Sequence, residues 1–357
     1  MEILSNILFY FFSFVIVVSI IVFVHEFGHY YAAILNKVKV ETFSIGFGRE
    51  IFGWNDKRGT RWKISLLPFG GYVKMFGEDP FSKEKIPLSL SKFSFSNKKV
   101  YQRFLIVAAG PLANFLFAII CYTFLFTFIG KINVPPIVSS VEIDSPAEIA
   151  DIRKDDKILR INNKIVNNFY DIRKYIYLSK NDFINFEILR DNNVIVKNIK
   201  PTFNQKSKNV PKIGIYSSKP VITKYSFHYS FYLGIKETYE ICSITLKGLH
   251  HLIIGKASRE DIGGPLKIAE LSGKLLEAGL LSFINLIIIL SITIGLINLF
   301  PIPVLDGGHL TLYIIEILFG KPIDKNIQEI IFKIGFAIII TLAVFLTYND
   351  IINLFKF

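Results

Sequence analysis

The sequence predicts a polytopic α-helical membrane protein with about four spanning helices and a small α+β module inserted between the second and third. Three observations predict it. Hydrophobic residues make up 51% of the 357 positions, with a mean hydropathy of +0.43, beyond what a soluble chain of this length carries. Four apolar runs approach the roughly 20 residues that a helix needs to cross a bilayer. Between the second and third runs, short alternating stretches are separated by Asn, Asp and Pro turn signals.

The spanning runs are roughly 4–33, 104–129, 280–300 and 331–348. A cleavable leader does not fit the first. Residues 3–24 carry no charge, no basic residue precedes them, and no small-residue cleavage site follows. Basic residues near the span ends predict orientation. Lys37, Lys39, Arg49, Lys85, Lys92, Lys98, Lys99, Arg103, Lys321 and Lys325 fall on one side; Lys131, Lys267, Lys274 and Lys356 fall on the other. The richer side, where the first run ends, is predicted to be cytoplasmic. The net charge of +12 sits in loops beside apolar runs, so anionic lipid is the expected partner and nucleic acid is not. Cys121 and Cys242 are too few and too far apart for a disulfide framework or a cysteine metal site.

The expected organisation has four parts. Residues 1–130 hold spans one and two and a loop in which Val38–Phe47 and Trp62–Met75 alternate like strands. Residues 131–220 form the inserted module: a strand at Ile137–Ile143, a short helix opened by Ser145-Pro146-Ala147-Glu148, and a hairpin in DKILRINNKIV. A helix near Asn168–Leu178 follows, then a hairpin turning at Asp191-Asn192-Asn193. Residues 221–279 carry an apolar stripe (Ile235, Tyr239, Cys242, Leu246, Leu249, Ile253) suited to a membrane surface or a neighbouring helix. Residues 280–357 hold spans three and four.

Chemistry concentrates at the end of span one, in His25-Glu26-Phe27-Gly28-His29. Helical residues four apart share a face, so both imidazoles can meet one metal ion, and Glu26 is placed to act as general base on a water there. The pentapeptide alone is weak evidence; its position strengthens it. A charge at the centre of a spanning helix costs about 2.5–3.5 kcal/mol, and three ionisable residues in one turn need a compensating role such as a bound cation. A catalytic zinc takes three protein ligands and keeps one open position. The candidate third ligand lies after span three, in NLFPIPVLDGG, where Pro301 and Pro303 must end or unwind the helix and Asp306 follows. His309 competes for that role. Asn298 could hydrogen-bond substrate backbone or an oxyanion, or simply pack between helices. His228, His250 and His251 read as interfacial residues.

These motifs together resemble the site-2 protease family of intramembrane zinc metalloproteases, and within it the bacterial RseP-type branch that carries PDZ domains. The resemblance rests on HEFGH, the GFG and LPFGGYVKM segments, GPLAN in span two, and NLFPIPVLDGGH. It implies one zinc ion held by His25, His29 and Asp306, with Glu26 as the base. It also implies a membrane-associated β loop at about 38–75, with Gly46, Gly48, Gly70 and Gly71, against which an unwound transmembrane substrate could pair as an added strand. Asn298, Pro301 and Pro303 are further candidate substrate contacts. Residues 131–220 resemble a single PDZ domain on the periplasmic side of an inner membrane. It would bind a peptide or C-terminus, or exclude substrates with large ectodomains. Asp155-Asp156 and Ala150-Asp151-Ile152 stand where Gly-Asp and Ala-Gly-Leu are usual. Anti-sigma factors and remnant signal peptides are the substrates the resemblance implies.

Two other classes remain. An inactive scaffold binding partners through the PDZ-like module would be expected to have a broken ligand set, and none is missing. A transporter would show inverted repeats, and none is visible.

Overall fold

The computed structural model describes residues 2–78, 86–178, 183–203, 211–255 and 263–355; Lys85 and Lys356 of the charge argument lie outside them. The chain forms two compact units. One comprises residues 1–123 and 231–357, the other residues 124–230.

In the first unit, α1 (Glu2–Leu35) leads into β1 (Val40–Asn55) and β2 (Arg61–Met75), and then α2 (Val100–Phe124), whose last turn widens into a π-helical turn over Leu125–Ile129. Among the described residues, four helices are long and apolar enough to cross a membrane: Ser5–Leu35, Val100–Ile129, Leu280–Asn298 and Asn326–Ile352. The chain is thus a multi-pass membrane protein with the predicted number of spans.

The two long strands bend, and their register makes a four-segment curled sheet. Residues 40–45 pair antiparallel with 71–75 on one flank, and lie beside 61–64 on the other, running in the same direction; 50–55 pair antiparallel with 61–65. The order is therefore 50–55, 61–65, 40–45, 71–75. Gly46 and Gly48, at φ 88° and 85°, make the bend in β1 that residues with Cβ atoms rarely adopt. Asp56 ties the hairpin tip to α1: it accepts hydrogen bonds from Tyr30 Oη (2.9 Å), Trp62 Nε1 (3.0 Å) and the backbone N–H groups of Arg58 and Thr60. Phe43 stacks on Trp62 at 4.2 Å. Tyr30, Val40, Phe43, Val73, Met75, Ile106 and Leu310 belong to one buried cluster, so α1, the sheet and α2 share a core.

The second unit carries the module: β3 (Lys131–Asn133), β4 (Val138–Val141), α3 (Pro146–Ile149), β5 (Lys157–Ile161), β6 (Lys164–Ile165) and α4 (Phe169–Leu178). Then come β7 (Ile184–Arg190), β8 (Asn193–Ile199), β9 (Thr202–Phe203), β10 (Pro211–Lys212), β11 (Ile215–Ser217) and β12 (Val221–Thr223). A four-stranded sheet runs β6-β5-β7-β8, with two-stranded pairs β11-β4, β10-β9 and β12-β3. Ile184, Phe186 and Ile188 are fully buried, as their alternation requires. Ser145 caps α3 by accepting from Glu148 N–H while Glu148 Oε2 accepts from Asp144 N–H, a reciprocal capping pair. Asp151 and Asp155 have φ of 59° and 69°. Aspartate tolerates this left-handed geometry, so the two departures from the glycine pattern leave the turns intact. They add charge instead. Arg153, Lys197 and Arg190 surround Asp151 and hold its carboxyl well below the usual carboxylate range.

Asp156 is buried and receives Arg190 at both Nε and Nη2, each at 2.7 Å, plus the Arg153 backbone N–H at 2.8 Å. Removing one member of a buried ion pair leaves the other uncompensated, at about 3–5 kcal/mol. Asp156→Ala is therefore expected to unfold the module locally, read as a new site of limited proteolysis within 124–230 in the otherwise folded chain.

The first unit resumes within α5 (Phe227–Ile253), followed by α6 (Pro265–Glu277), α7 (Leu280–Asn298), α8 (Asp306–Phe319) and α9 (Lys325–Phe355). The α6 backbone lies hard against α1, since a Cβ on Gly273 would meet the Tyr10 ring at 1.8 Å. Asp350 of α9 accepts from the N–H groups of Gly264, Leu266 and Lys267, capping the start of α6. Cys121 and Cys242 are free.

Candidate active site

Three segments far apart in sequence meet at His25. On α1, His25 and His29 lie on one face, with Nε2 atoms 3.3 Å apart. Two prolines stop α7 at Asn298, the chain turns through Leu299–Leu305, and α8 begins at Asp306. That turn places the carboxylate with Oδ2 3.0 Å from His25 Nε2 and Oδ1 3.5 Å from His29 Nε2. All three residues are largely buried, and they alone among the described residues form a group able to hold a metal.

The donor set fits zinc. Ligands at about 2.0–2.1 Å around a tetrahedral ion stand roughly 3.3 Å from one another, which is the spacing seen here. Asp306 Oδ2 is buried without a hydrogen-bond partner, an expensive state that a cation relieves. The other ring nitrogens face hydrogen-bonding groups. His29 Nδ1–H donates to the Ile106 carbonyl at 2.9 Å, which leaves its Nε2 lone pair for a metal. His25 Nδ1 lies 3.3 Å from the Asn114 side-chain amide, whose oxygen has no other partner. Turned with that oxygen toward the ring, Asn114 accepts from Nδ1–H and fixes the same tautomer on His25.

Glycines let the helices approach this closely. A Cβ on Gly110 would meet His29 Nε2 at 2.3 Å, and one on Gly28 would meet the Ala109 carbonyl oxygen at 2.2 Å. Pro111 removes one N–H from the α2 ladder just beyond Ile106. In the turn before Asp306, Val304 is held at φ 85°, a costly conformation for a β-branched residue that concentrates at functional sites.

A cavity of about 770 Å³ opens on these groups. Its lining includes His25, Glu26, His29, Gly70, Gly71, Tyr72, Val73, Glu78, Asn298, Asp306 and His309. Asn298 Nδ2 is 3.5 Å from His25 Nε2. His309 faces the cavity but packs on Phe332, with ring centroids 4.9 Å apart, and is not one of the three converging groups. Of the glycines, Gly70 and Gly71 line the cavity; Gly46 and Gly48 do not, nor do Pro301 and Pro303. The Pro303 carbonyl instead sits under α9, where a Cβ on Gly335 would meet it at 2.4 Å. His228, His250 and His251 are exposed.

Two residues at this site escaped the reading of the sequence as individuals. Asn114 had a signal, as an amide in an apolar span within GPLAN. Glu78 had none beyond lying just after the LPFGGYVKM strand. If Asn114 fixes the His25 tautomer, Asn114→Leu is expected to weaken zinc binding by about 10–100-fold, measured by competition with a chromogenic chelator.

The family model described as Peptidase family M50 matches residues 13–342. A protein of Rickettsia conorii described as a putative zinc metalloprotease is 41% identical over 353 residues, covering 96% of this chain and 99% of the relative. One of Rhizobium meliloti with the same description is 36% identical over 362 residues, covering 96% of each. Among solved structures, the PDZ domain of an SdrC-like protein from Listeria innocua matches 24% of this chain and 94% of that domain, at 25% identity and a TM-score of 0.22.

Proposed function

Since this chain belongs to peptidase family M50 and is a zinc metalloprotease with several membrane spans, we propose that it hydrolyses peptide bonds within or beside the spanning segments of other membrane proteins. The observation that carries this is the meeting of His25, His29 and Asp306, drawn from one candidate span and the turn after another, at a cavity bordered by a strand edge.

Zinc, when bound, would supply Lewis acidity, polarising a carbonyl oxygen and lowering the pKa of a water toward about 7. The protein's own residues supply the rest. His25 and His29 would hold the ion through Nε2 and Asp306 through its carboxylate. Glu26 takes the proton of the attacking water on a carboxylate oxygen and later delivers it to the departing amine nitrogen. Asn298 directs an amide N–H into the same space, where negative charge develops on the scissile carbonyl oxygen. A helical substrate keeps its peptide groups in its own hydrogen bonds, so it must be unwound first. The flank of residues 70–75 away from β1 offers the unwound segment a strand to pair with.

In this reading the active site lies toward the cytoplasmic side of a bacterial inner membrane. The PDZ-like module lies on the periplasmic side, where it binds a peptide terminus or excludes bulky ectodomains. Membrane-anchored regulators such as anti-sigma factors, and remnant signal peptides, are the substrates, so that cleavage forms a step of regulated intramembrane proteolysis.

The test is cleavage of single-span model proteins by the purified chain in detergent. Cleavage inside the span that a chelator stops and zinc restores is the expected result. Cleavage of unstructured soluble peptides with no action on any spanning segment would overturn the reading.

A further inference from the structure

Amide N–H groups along a strand point alternately to its two flanks. At the end of β2, Phe76 N–H donates to the Lys39 carbonyl, toward β1. Met75 and Val73 lie one and three residues before it, so their N–H groups point the other way, to the flank that carries no partner strand among the described residues. Unpaired amides in a partly enclosed site are costly, and that of Met75 is engaged. Met75 N–H donates to Glu78 Oε2 at 3.0 Å. The contact between α1 and this flank is close, since a Cβ on Gly71 would lie 3.3 Å from Glu26 Cγ.

The Glu78 carboxylate thus occupies an outward amide that a carbonyl of an added strand would take. We propose that Glu78 stands in for one carbonyl of an incoming substrate strand. Without substrate it holds the amide of Met75. A substrate that pairs along this flank takes that amide and displaces Glu78. A helical segment has no carbonyl to offer, so that displacement is tied to unwinding. The proposal rests on the reading that substrate pairs with this flank.

Glu78 also closes a tight turn, its own N–H donating to the Met75 carbonyl at 3.2 Å, so the test must separate competition from turn structure. Full-length, zinc-loaded Glu78→Ala and Glu78→Gln in detergent are compared with wild type on one single-span model substrate. Loss of one competing hydrogen bond is expected to lower KM for Glu78→Ala by about 2–12-fold, with kcat and zinc content unchanged and a smaller change for Glu78→Gln. Amide hydrogen exchange across residues 70–78 is expected to speed up in Glu78→Ala without substrate and to slow again with it. An unchanged or raised KM in both variants, or a lower kcat and melting temperature with no gain in KM, overturns the proposal. Tyr72→Cys, made without Cys121 and Cys242, distinguishes the underlying reading by disulfide trapping of substrates with single cysteines. Trapping with no fall in KM rejects the role of Glu78 alone; no trapping at any substrate position rejects strand pairing and the proposal with it.

Discussion

Glu26→Gln is expected to lower kcat by about 10²–10⁴-fold, the usual contribution of a positioned acid–base group, while zinc content stays at that of wild type. The amide keeps the shape and one acceptor oxygen of the carboxylate, and Glu26 is not among the three groups that converge on the metal position. It cannot accept a proton from water at neutral pH, nor return one to the leaving amine. Parallel measurement of metal content and single-turnover cleavage checks both halves. Cleavage at the wild-type rate would remove Glu26 from the chemistry. Lost zinc would make it a ligand, and the assignment of Asp306 would then need revision.

The second large effect concerns the ligands. His25→Ala and Asp306→Ala are each expected to abolish stoichiometric zinc and activity, although the two residues lie in separate segments of the chain. Each substitution leaves two ligands where a catalytic site uses three, and each leaves the remaining buried donors without a cation. His309→Ala is the control. Its ring packs on Phe332, so zinc content should persist. Metal analysis of the three detergent-purified variants decides it. Zinc retained by Asp306→Ala and lost from His309→Ala would exchange the two assignments.

The four spans were legible because lipid imposes long, charge-free runs, and HEFGH stood out because ionisable side chains are costly there. The module's hairpins were legible for a local reason. Asn162-Asn163 and Asp191-Asn192 adopt the left-handed turns that those residue types favour. Spatial contacts were harder to read. Asn114 matters through a ring 89 residues away, and Glu78 through the direction of a strand amide that only the register reveals. The alternation predicted a strand only as far as Phe47, whereas β1 continues to Asn55, because Gly46 and Gly48 bend the chain there without ending it. The prolines after Asn298 announced an irregular turn, but not that a second helix, α8, starts at Asp306 itself. That start gives the carboxylate a helix N-terminus as a neighbour.

Among the described residues the curled sheet has a second open flank, along residues 50–55, and it carries apolar side chains: Ile51, Phe52 and Trp54 are 65%, 61% and 48% exposed. In water, a bare strand edge of this kind would recruit other chains. In hydrocarbon, its unpaired peptide groups would each cost several kcal/mol. Only the headgroup layer suits both, with acyl chains for the aromatic side chains and water for the amides. At that level the hairpin would act as a depth gauge. Its tip is bound to α1 through Asp56 and Tyr30, so the level at which that edge floats sets the height of HEFGH in the bilayer. It thereby sets which stretch of a neighbouring helix comes level with the catalytic groups.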